Sequence, residues 1–165
     1  MKTQTTITEL GHDDLVNLFS TALYGSSYLS ADYTIEDKKS VNPSKDDCYE
    51  DIIAKILLEG KSVEVTDYYA EGQSYGSLPY WLQDEEDEDA AVIYRLTLED
   101  IKRGLERAAN GTFTITTNLG EDYVKGEKES ALASFNSFAT ESLDFDLVRA
   151  DILMQIILFD EIIYG

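Results

Sequence analysis

The segment from Ala91 to Gly111, AVIYRLTLEDIKRGLERAANG, places a strand pattern directly before a helix pattern. Its first six residues are rich in types that prefer strands. Thr97 and Asp100 then resemble a capping box, in which each side chain caps the other residue's backbone N–H at a helix start. Apolar residues recur at helical spacing as far as Gly111, and glycine is suited to end a helix. The segment therefore predicts a strand followed by a helix.

Patterns on its N-terminal side add a second strand and two helices. Val63 and Val65 alternate with polar residues, which predicts a strand that pairs antiparallel with 91–96 across a long connection. Apolar residues at helical spacing predict helices from Asp13 to Tyr24 and from about Asp46 to Glu59, each followed by glycine. Residues 26–45 mix Ser, Asp, Lys and Asn around a proline, and we expect a long surface connection there.

Patterns on its C-terminal side predict one more strand and two more helices. Residues 112–117 alternate Thr with Phe and Ile, which favours a short strand. Helices are expected at about Lys128 to Thr140 and from Asp146 to about Phe159. Three side chains of the first should point inward: Leu132, Phe135 and Phe138. The last helix is apolar on most sides and is expected at the centre of the core.

These elements together predict an α+β fold with about five helices packed on a small antiparallel sheet. A length of 165 residues is typical of one domain and allows a sizeable core. We therefore expect residues 1–165 to form a single domain.

The charge is strongly acidic and spread along the chain. Thirty-three acids against 13 bases give a net charge of -20, and residues 1–60, 61–111 and 112–165 carry -6, -7 and -7. Hydrophobic residues make up 43% and aromatic residues 11%, so this charge belongs to a folded protein and not to a disordered acidic chain. The net charge exceeds the magnitude of about 2 to 8 that is sufficient to keep a small domain soluble. Such a potential repels nucleic acids and anionic membranes and attracts basic proteins.

The sequence also bears on the compartment. Cys48 is the single cysteine and cannot form an internal disulfide, and the first residues lack the apolar run of a signal peptide. The longest apolar stretch, Ile152 to Phe159, is far short of the roughly 20 residues needed to span a bilayer. We expect a cytoplasmic protein without a membrane anchor.

Two patterns could belong to catalysis, and neither is complete. Residues 72–76, GQSYG, match the Gly-x-Ser-x-Gly turn of hydrolases, but no helix pattern follows, and the single histidine, His12, precedes the serine instead of following it. A flexible loop is the better interpretation. A cysteine nucleophile would need Cys48 beside His12, which no spacing indicates. We expect Cys48 to pack as a small apolar residue on its helix and His12 to lie at a helix start.

Metal and cofactor sites have little support in the sequence. One histidine and one cysteine cannot supply the usual ligands of a closed zinc site. The run from Asp84 to Asp89 consists of six acids but lacks the alternating ligand spacing and central glycine of an EF-hand. We therefore assign no catalytic, cofactor or metal residue, and expect only weak association of divalent cations with the acidic run.

The candidate binding site is a segment that combines aromatic rings with acids. Tyr and Trp are enriched at interface hot spots, and a basic surface would meet rings and carboxylates together. The alternative is that the tyrosines complete the core and the acids form a solvated loop. The candidate partner-binding residues are Tyr68, Tyr69, Tyr75, Tyr80, Trp81, Asp84, Glu85, Glu86, Asp87, Glu88 and Asp89.

In size, charge and lack of an assembled active site, the chain resembles the DNA-mimic antirestriction and anti-CRISPR proteins of phages and mobile elements. Duplex DNA carries one charge per roughly 1.7 Å of axis, so a competitor for a phosphate-binding channel needs many carboxylates. The resemblance covers no defined motif. It implies a non-enzymatic inhibitor of a CRISPR effector or restriction nuclease, in the host cytosol if phage-encoded. An immunity or antitoxin protein that caps a basic nuclease is the alternative, and a magnesium-dependent enzyme is a third.

Overall fold

The structure, a computed structural model, describes residues 4–165 and has the predicted α+β architecture. Six α-helices and a four-stranded antiparallel sheet form one compact arrangement. The helices are α1 His12–Leu23, α2 Ile35–Ser40, α3 Tyr49–Leu58, α4 Leu98–Asn110, α5 Glu121–Ala139 and α6 Leu147–Phe159. The strands are β1 Leu29–Asp32, β2 Val63–Asp67, β3 Tyr80–Leu82 and β4 Val92–Leu96.

The sheet has the order β1-β2-β4-β3. Val65 pairs with Tyr94, which confirms the predicted antiparallel pairing of β2 with β4. Successive side chains of each strand point to opposite faces of the sheet. Val63, Val65 and Tyr94 lie on the buried face, whereas Glu64 and Arg95 lie on the other face, where Glu64 is half-buried and Arg95 is exposed.

Helices α1 and α3 contact the sheet, Phe159 of α6 packs on Tyr94 of β4, and α6 lies at the centre of the core. Seven consecutive residues of α6, from Leu153 to Phe159, are buried, and the helix packs against α1, α4 and α5. This confirms its predicted position. Gly104 allows the close approach of α4, because a Cβ atom there would lie 2.6 Å from the Cα atom of Ile157.

The predicted ends of α4 are confirmed in atomic detail. The Thr97 N–H donates to Asp100 Oδ2 at 2.9 Å, and the Asp100 N–H donates to Thr97 Oγ1 at 3.3 Å. These bonds satisfy N–H groups that have no partner within the helix. Gly111 ends the helix with φ 66°, a left-handed conformation that glycine adopts without strain.

Several local predictions were wrong. Residues 26–45 contain β1 and α2, and the connection after β2 contains β3, because strands of three or four residues are too short to show periodicity. Residues 112–117 are not a strand, since Thr114 makes only one bridge, to Glu161, instead of a ladder. The fifth helix begins at Glu121 and not near Lys128, because its first turns are exposed and lack an apolar stripe.

Two side chains also differ from expectation. Leu132 is 43% exposed, and its neighbour Ala131 fills the inward position beside Phe135 and Phe138. Cys48 is exposed, because it is the N-cap residue of α3 and precedes the apolar face of that helix.

None of the helices within residues 4–165 combines the length and the apolar character required to cross a membrane.

Candidate functional site

Three loops lie at one end of the sheet because of the way the strands are paired. Leu29 pairs with Asp67, Asp67 pairs with Val92, and Val92 pairs with Leu82. The loops 24–28, 68–79 and 83–91 all leave the sheet from these residues. This acidic end, comprising Tyr68, Tyr69 and residues 83–91, holds most of the candidate residues of the sequence.

The six acids Asp84–Asp89, here called the acidic loop, form the tip of the β3–β4 hairpin. The Gln83 N–H donates to Ala91 O at 2.9 Å and closes the hairpin. Within the loop, the Glu86 N–H donates to Asp84 Oδ1 at 3.1 Å and the Asp89 N–H donates to Asp87 Oδ1 at 2.9 Å. Aspartates bend the backbone in this way in Asx turns. All six residues are exposed.

A neighbouring turn supports the acidic loop. The Gly72 N–H donates to Ala90 O at 2.8 Å, and a Cβ atom at Gly72 would lie only 2.5 Å from Glu88 O. Gly72 also has φ 77°. Gly72 therefore packs on the acidic loop, and no helix follows residues 72–76. Within residues 4–165, no lysine or arginine lies within ion-pair distance of the six carboxylates.

The five candidate aromatic residues separate into different environments. Tyr68 and Tyr69 are 53% and 52% exposed and lie at the acidic end. Tyr75 turns inward, with its ring 5.7 Å from that of Phe159 and its N–H bonded to the Tyr94 hydroxyl. Burial raises the pKa of Tyr94 to about 12.

The other two aromatic candidates lie on the edge strand β3. Tyr80 is about half exposed and packs near Tyr94. Trp81 lies under Arg95, whose guanidinium carbon is 5.4 Å from the ring centroid. The structure thus places Tyr68, Tyr69 and the six acids at one end of the sheet, and Tyr80 and Trp81 on the edge strand. The inward ring of Tyr75 lies 6.5 Å from that of Tyr164.

Three tyrosine rings pack against one another at the same end of the sheet. The rings of Tyr28 and Tyr69 are stacked at 5.4 Å, and Tyr164 meets them edge-on at 4.8 Å and 6.1 Å. The Tyr164 hydroxyl donates to Asp67 Oδ2 at 2.8 Å, and the Tyr69 N–H donates to Asp67 Oδ1 at 2.9 Å. Burial raises the pKa of Asp67 despite these two bonds. Aromatic packing and hydrogen bonds therefore fix the cluster.

A second carboxylate anchors the cluster on α6. The Tyr28 hydroxyl donates to Asp151 Oδ1 at 2.5 Å, and Gln155 Nε2 donates to Asp151 Oδ2 at 2.7 Å. Burial and the nearby Asp151 carboxylate raise the pKa of Tyr28 far above its ordinary value. Gln155 Oε1 accepts the N–H groups of Ile163 and Tyr164, and this ties the last residues to α6.

A groove of about 610 Å³ opens between this cluster, α5 and α6, and we call it the tyrosine groove. Its rings are Tyr28, Tyr69, Tyr123 and Tyr164, its apolar side chains are Leu147, Val148, Ile152 and Ile162, and its carboxylates are Glu127 and Asp151. Sequence reasoning missed all of these residues except Tyr69. No spacing connects positions that are about 100 residues apart in the chain.

A depression of about 430 Å³, here called the arginine depression, lies at the far end of β4. It is lined by Arg95, Arg103 and Arg107, three of the chain's four arginines. Arg103 contacts Asp100 at 2.5 Å, Arg107 lies 3.5 Å from Asp160, and Arg95 stacks on Trp81. Each guanidinium therefore has a partner within the chain.

His12 and Cys48 meet through one aspartate. His12 Nε2 lies 2.8 Å from Asp51 Oδ1, and the Cys48 thiol donates to Asp51 Oδ2 at 3.1 Å. A cysteine nucleophile requires a base that accepts the thiol proton and a thiolate that is stabilised. Here the hydrogen bond to Asp51 raises the pKa of Cys48, while the bonds from His12 and Cys48 lower the pKa of Asp51 to about 2. The arrangement caps α3 and disfavours the thiolate.

Within residues 4–165, no three His, Cys, Asp or Glu side chains are arranged to hold a metal ion. Comparison of the chain with protein-family models, with curated proteins and with solved structures gives no match.

Proposed function

We propose that this chain is a non-enzymatic acidic binding protein that inhibits a basic nucleic-acid-binding enzyme. The target class is a CRISPR effector or a restriction nuclease, and the chain occupies its DNA- or RNA-binding surface in the cytosol of the host. This function agrees with the resemblance in size and charge to the DNA-mimic inhibitors.

The acidic loop is the observation that carries the proposal. Six consecutive exposed carboxylates have no described lysine or arginine within ion-pair distance, and aspartate turns hold their backbone in place. A channel that binds phosphates presents several Lys and Arg side chains, which release counterions when they meet such a row of charges. A loop backbone that is already held in turns loses little conformational entropy on binding, which favours affinity.

The adjacent rings add a second type of contact. Tyr68 and Tyr69 are about half exposed at the same end of the sheet, and Tyr69 is stacked on Tyr28. Arginine binds both to carboxylates and to aromatic faces. The acidic end thus offers both groups that a basic surface recognises.

The first experiment identifies the target. The chain, immobilised as bait, is incubated with lysate of the cell that carries its gene, with and without nuclease treatment of the lysate. We expect capture of a basic nucleic-acid enzyme, with more captured after nuclease treatment because its channel is then empty. Capture should fall steeply between about 50 and 200 mM salt.

Competition provides the decisive measurement. Binding of the purified target is measured at rising concentrations of its own DNA or guide RNA, and a mimic must be displaced because it shares their site. Undiminished binding with the nucleic-acid channel filled would contradict mimicry and favour an immunity protein or an allosteric inhibitor.

Matched variants test the part played by the acidic loop. The loop variant carries Glu85→Lys, Glu86→Lys and Glu88→Lys, and it leaves Asp84 and Asp87, which build the turns. The control carries the same charge change at Glu9, Glu36 and Glu129, which are exposed and lie outside the acidic end. We expect the loop variant to bind at least about 100-fold more weakly, since close charge pairs dominate such interfaces, and the control far less affected. Equal losses would show that only net charge matters.

A further inference from the structure

The tyrosine groove has the lining of a ligand site, and we propose that it binds an organic cation with an apolar body, such as an aryl or alkyl amidinium or ammonium. This site goes beyond the proposed function, because it lies between α5 and α6 and shares only Tyr69 with the acidic end. Its volume of about 610 Å³ falls within the range of about 300 to 1,000 Å³ typical of small-molecule pockets.

The charges in the groove select a cation. Glu127 and Asp151 both line it, and no lysine or arginine of residues 4–165 does. Each oxygen of Asp151 accepts one described bond, from Tyr28 or from Gln155, and a carboxylate offers about four acceptor positions. Asp151 therefore keeps acceptor capacity, and its two bonds fix its orientation. An anion in the groove would meet two like charges.

The rings favour the same class of ligand. An ammonium or guanidinium over the face of a tyrosine is attracted by the negative face of the ring. Tyr28 and Tyr164 are held by bonds to Asp151 and Asp67, so this wall is in place before a ligand binds. Leu147, Val148 and Ile152 supply the apolar surface for the rest of the ligand.

Gly126 gives independent support. It lies inside α5, where glycine costs about 1 kcal/mol relative to alanine. Packing does not explain it, because a Cβ atom at Gly126 would meet nothing within 4 Å, whereas one at Gly104 would overlap Ile157. Gly126 lines the tyrosine groove, so the missing side chain leaves the groove open.

Three isosteric probes test the charge preference. Benzamidine, benzamide and benzoate have the same ring and carry charges of about +1, 0 and -1. Each is titrated into the isotope-labelled full chain, and amide chemical shifts are followed by NMR. We expect benzamidine to bind with a Kd of about 1 mM and to shift the signals of groove residues, benzamide to bind at least about fivefold more weakly, and benzoate not to bind.

Two variants locate the binding. Glu127→Gln removes a groove carboxylate and should weaken benzamidine binding about fivefold without changing benzamide binding. Glu129→Gln is the matched control, since it makes the same change two residues along α5 and does not line the groove. Gly126→Leu should abolish binding of both ligands without lowering the melting temperature, because leucine favours a helix more than glycine does.

Four results would overturn the proposal. They are equal binding of the three probes, equal losses from Glu127→Gln and Glu129→Gln, unchanged affinity in Gly126→Leu, and no binding of benzamidine up to about 10 mM, where fragments of this size are detected.

Discussion

The acidic loop and the arginine depression lie at opposite ends of β4 and use charge in opposite ways. In the depression, the side chains of Arg103 and Arg107 contact aspartates of the same chain. In the loop, the described partners of the carboxylates are backbone N–H groups of the loop itself. We infer that bases stabilise the fold on the α4 side, whereas acids at the other end remain available for a partner.

The largest loss of stability is expected on the α4 side, where α4 packs closely on α6. Gly104→Ala places a Cβ atom 2.6 Å from the Cα atom of Ile157, so the helices must separate. We expect a loss of about 1 to 3 kcal/mol in the free energy of unfolding, measured by urea denaturation. Gly126→Ala is the control, with an expected gain of up to about 1 kcal/mol. Equal stability of the two variants would contradict the close packing.

A smaller loss is expected at the arginine depression. Asp160 Oδ1 is buried and accepts no described hydrogen bond, and Arg107 is the cation beside it, at 3.5 Å. Arg107→Gln should therefore lower the free energy of unfolding by about 1 kcal/mol. Glu85→Gln in the acidic loop should change it by less than about 0.5 kcal/mol. A larger loss of stability in Glu85→Gln than in Arg107→Gln would show that the charge of Glu85 stabilises the fold.

The pH dependence of stability should distinguish Asp67, whose pKa is raised by burial, from the acids whose pKa is lowered by hydrogen bonds. Because the pKa of Asp67 is raised in the fold, the folded state binds a proton that the unfolded state has released. Stability should thus rise as the pH falls through this raised pKa towards the ordinary value of about 3.9. Asp67→Asn should flatten that rise in thermal melts at several pH values.

Below that range the sign is reversed. Hydrogen bonds lower the pKa values of Asp47 and Asp51, the latter to about 2, so their stabilisation is lost as the pH falls from about 3.9 towards 2. Asp51→Asn should remove part of this loss. A rise in stability that persists in Asp67→Asn would show that Asp67 is not its source.

The smallest change in stability is expected when repulsion between the carboxylates of the acidic loop is reduced. The loop variant with Glu85, Glu86 and Glu88 changed to lysine reduces the magnitude of the net negative charge, from -20 to -14. Its melting temperature should rise slightly in low salt and equal that of the unchanged chain at high salt, where such repulsion is screened. A lower melting temperature at both salt concentrations would indicate that the glutamates support the turn.

The sequence predicted the elements that carry strong local signals. Thr97 and Asp100 cap α4 as expected, and α6 lies in the core because apolar residues surround it. Short elements such as β1 and β3 could not be predicted, since their existence depends on ladders with β2 and β4 that form only in the fold. The same reason explains why residues 112–117, which alternate correctly, are not a strand.

The site was predicted in part. A continuous run of acids must be solvated, so the exposure of the acidic loop followed from the sequence. The direction of each ring did not, because Tyr69 and Tyr75 are separated by a turn in which Glu71 and Gly72 have positive φ. The tyrosine groove required contacts between Tyr28, Asp151 and Tyr164, and the sequence contains no signal for them.

The short edge strands affect how any partner can dock. β1 has four residues and ends in Asp32, whereas β3 has three residues and leads into the acidic loop. Sheets are extended by other chains where a long, uncharged edge exposes unpaired N–H and C=O groups. Neither edge provides such a template. Recognition by strand addition is therefore disfavoured, and so is the intermolecular sheet formation that leads to aggregates.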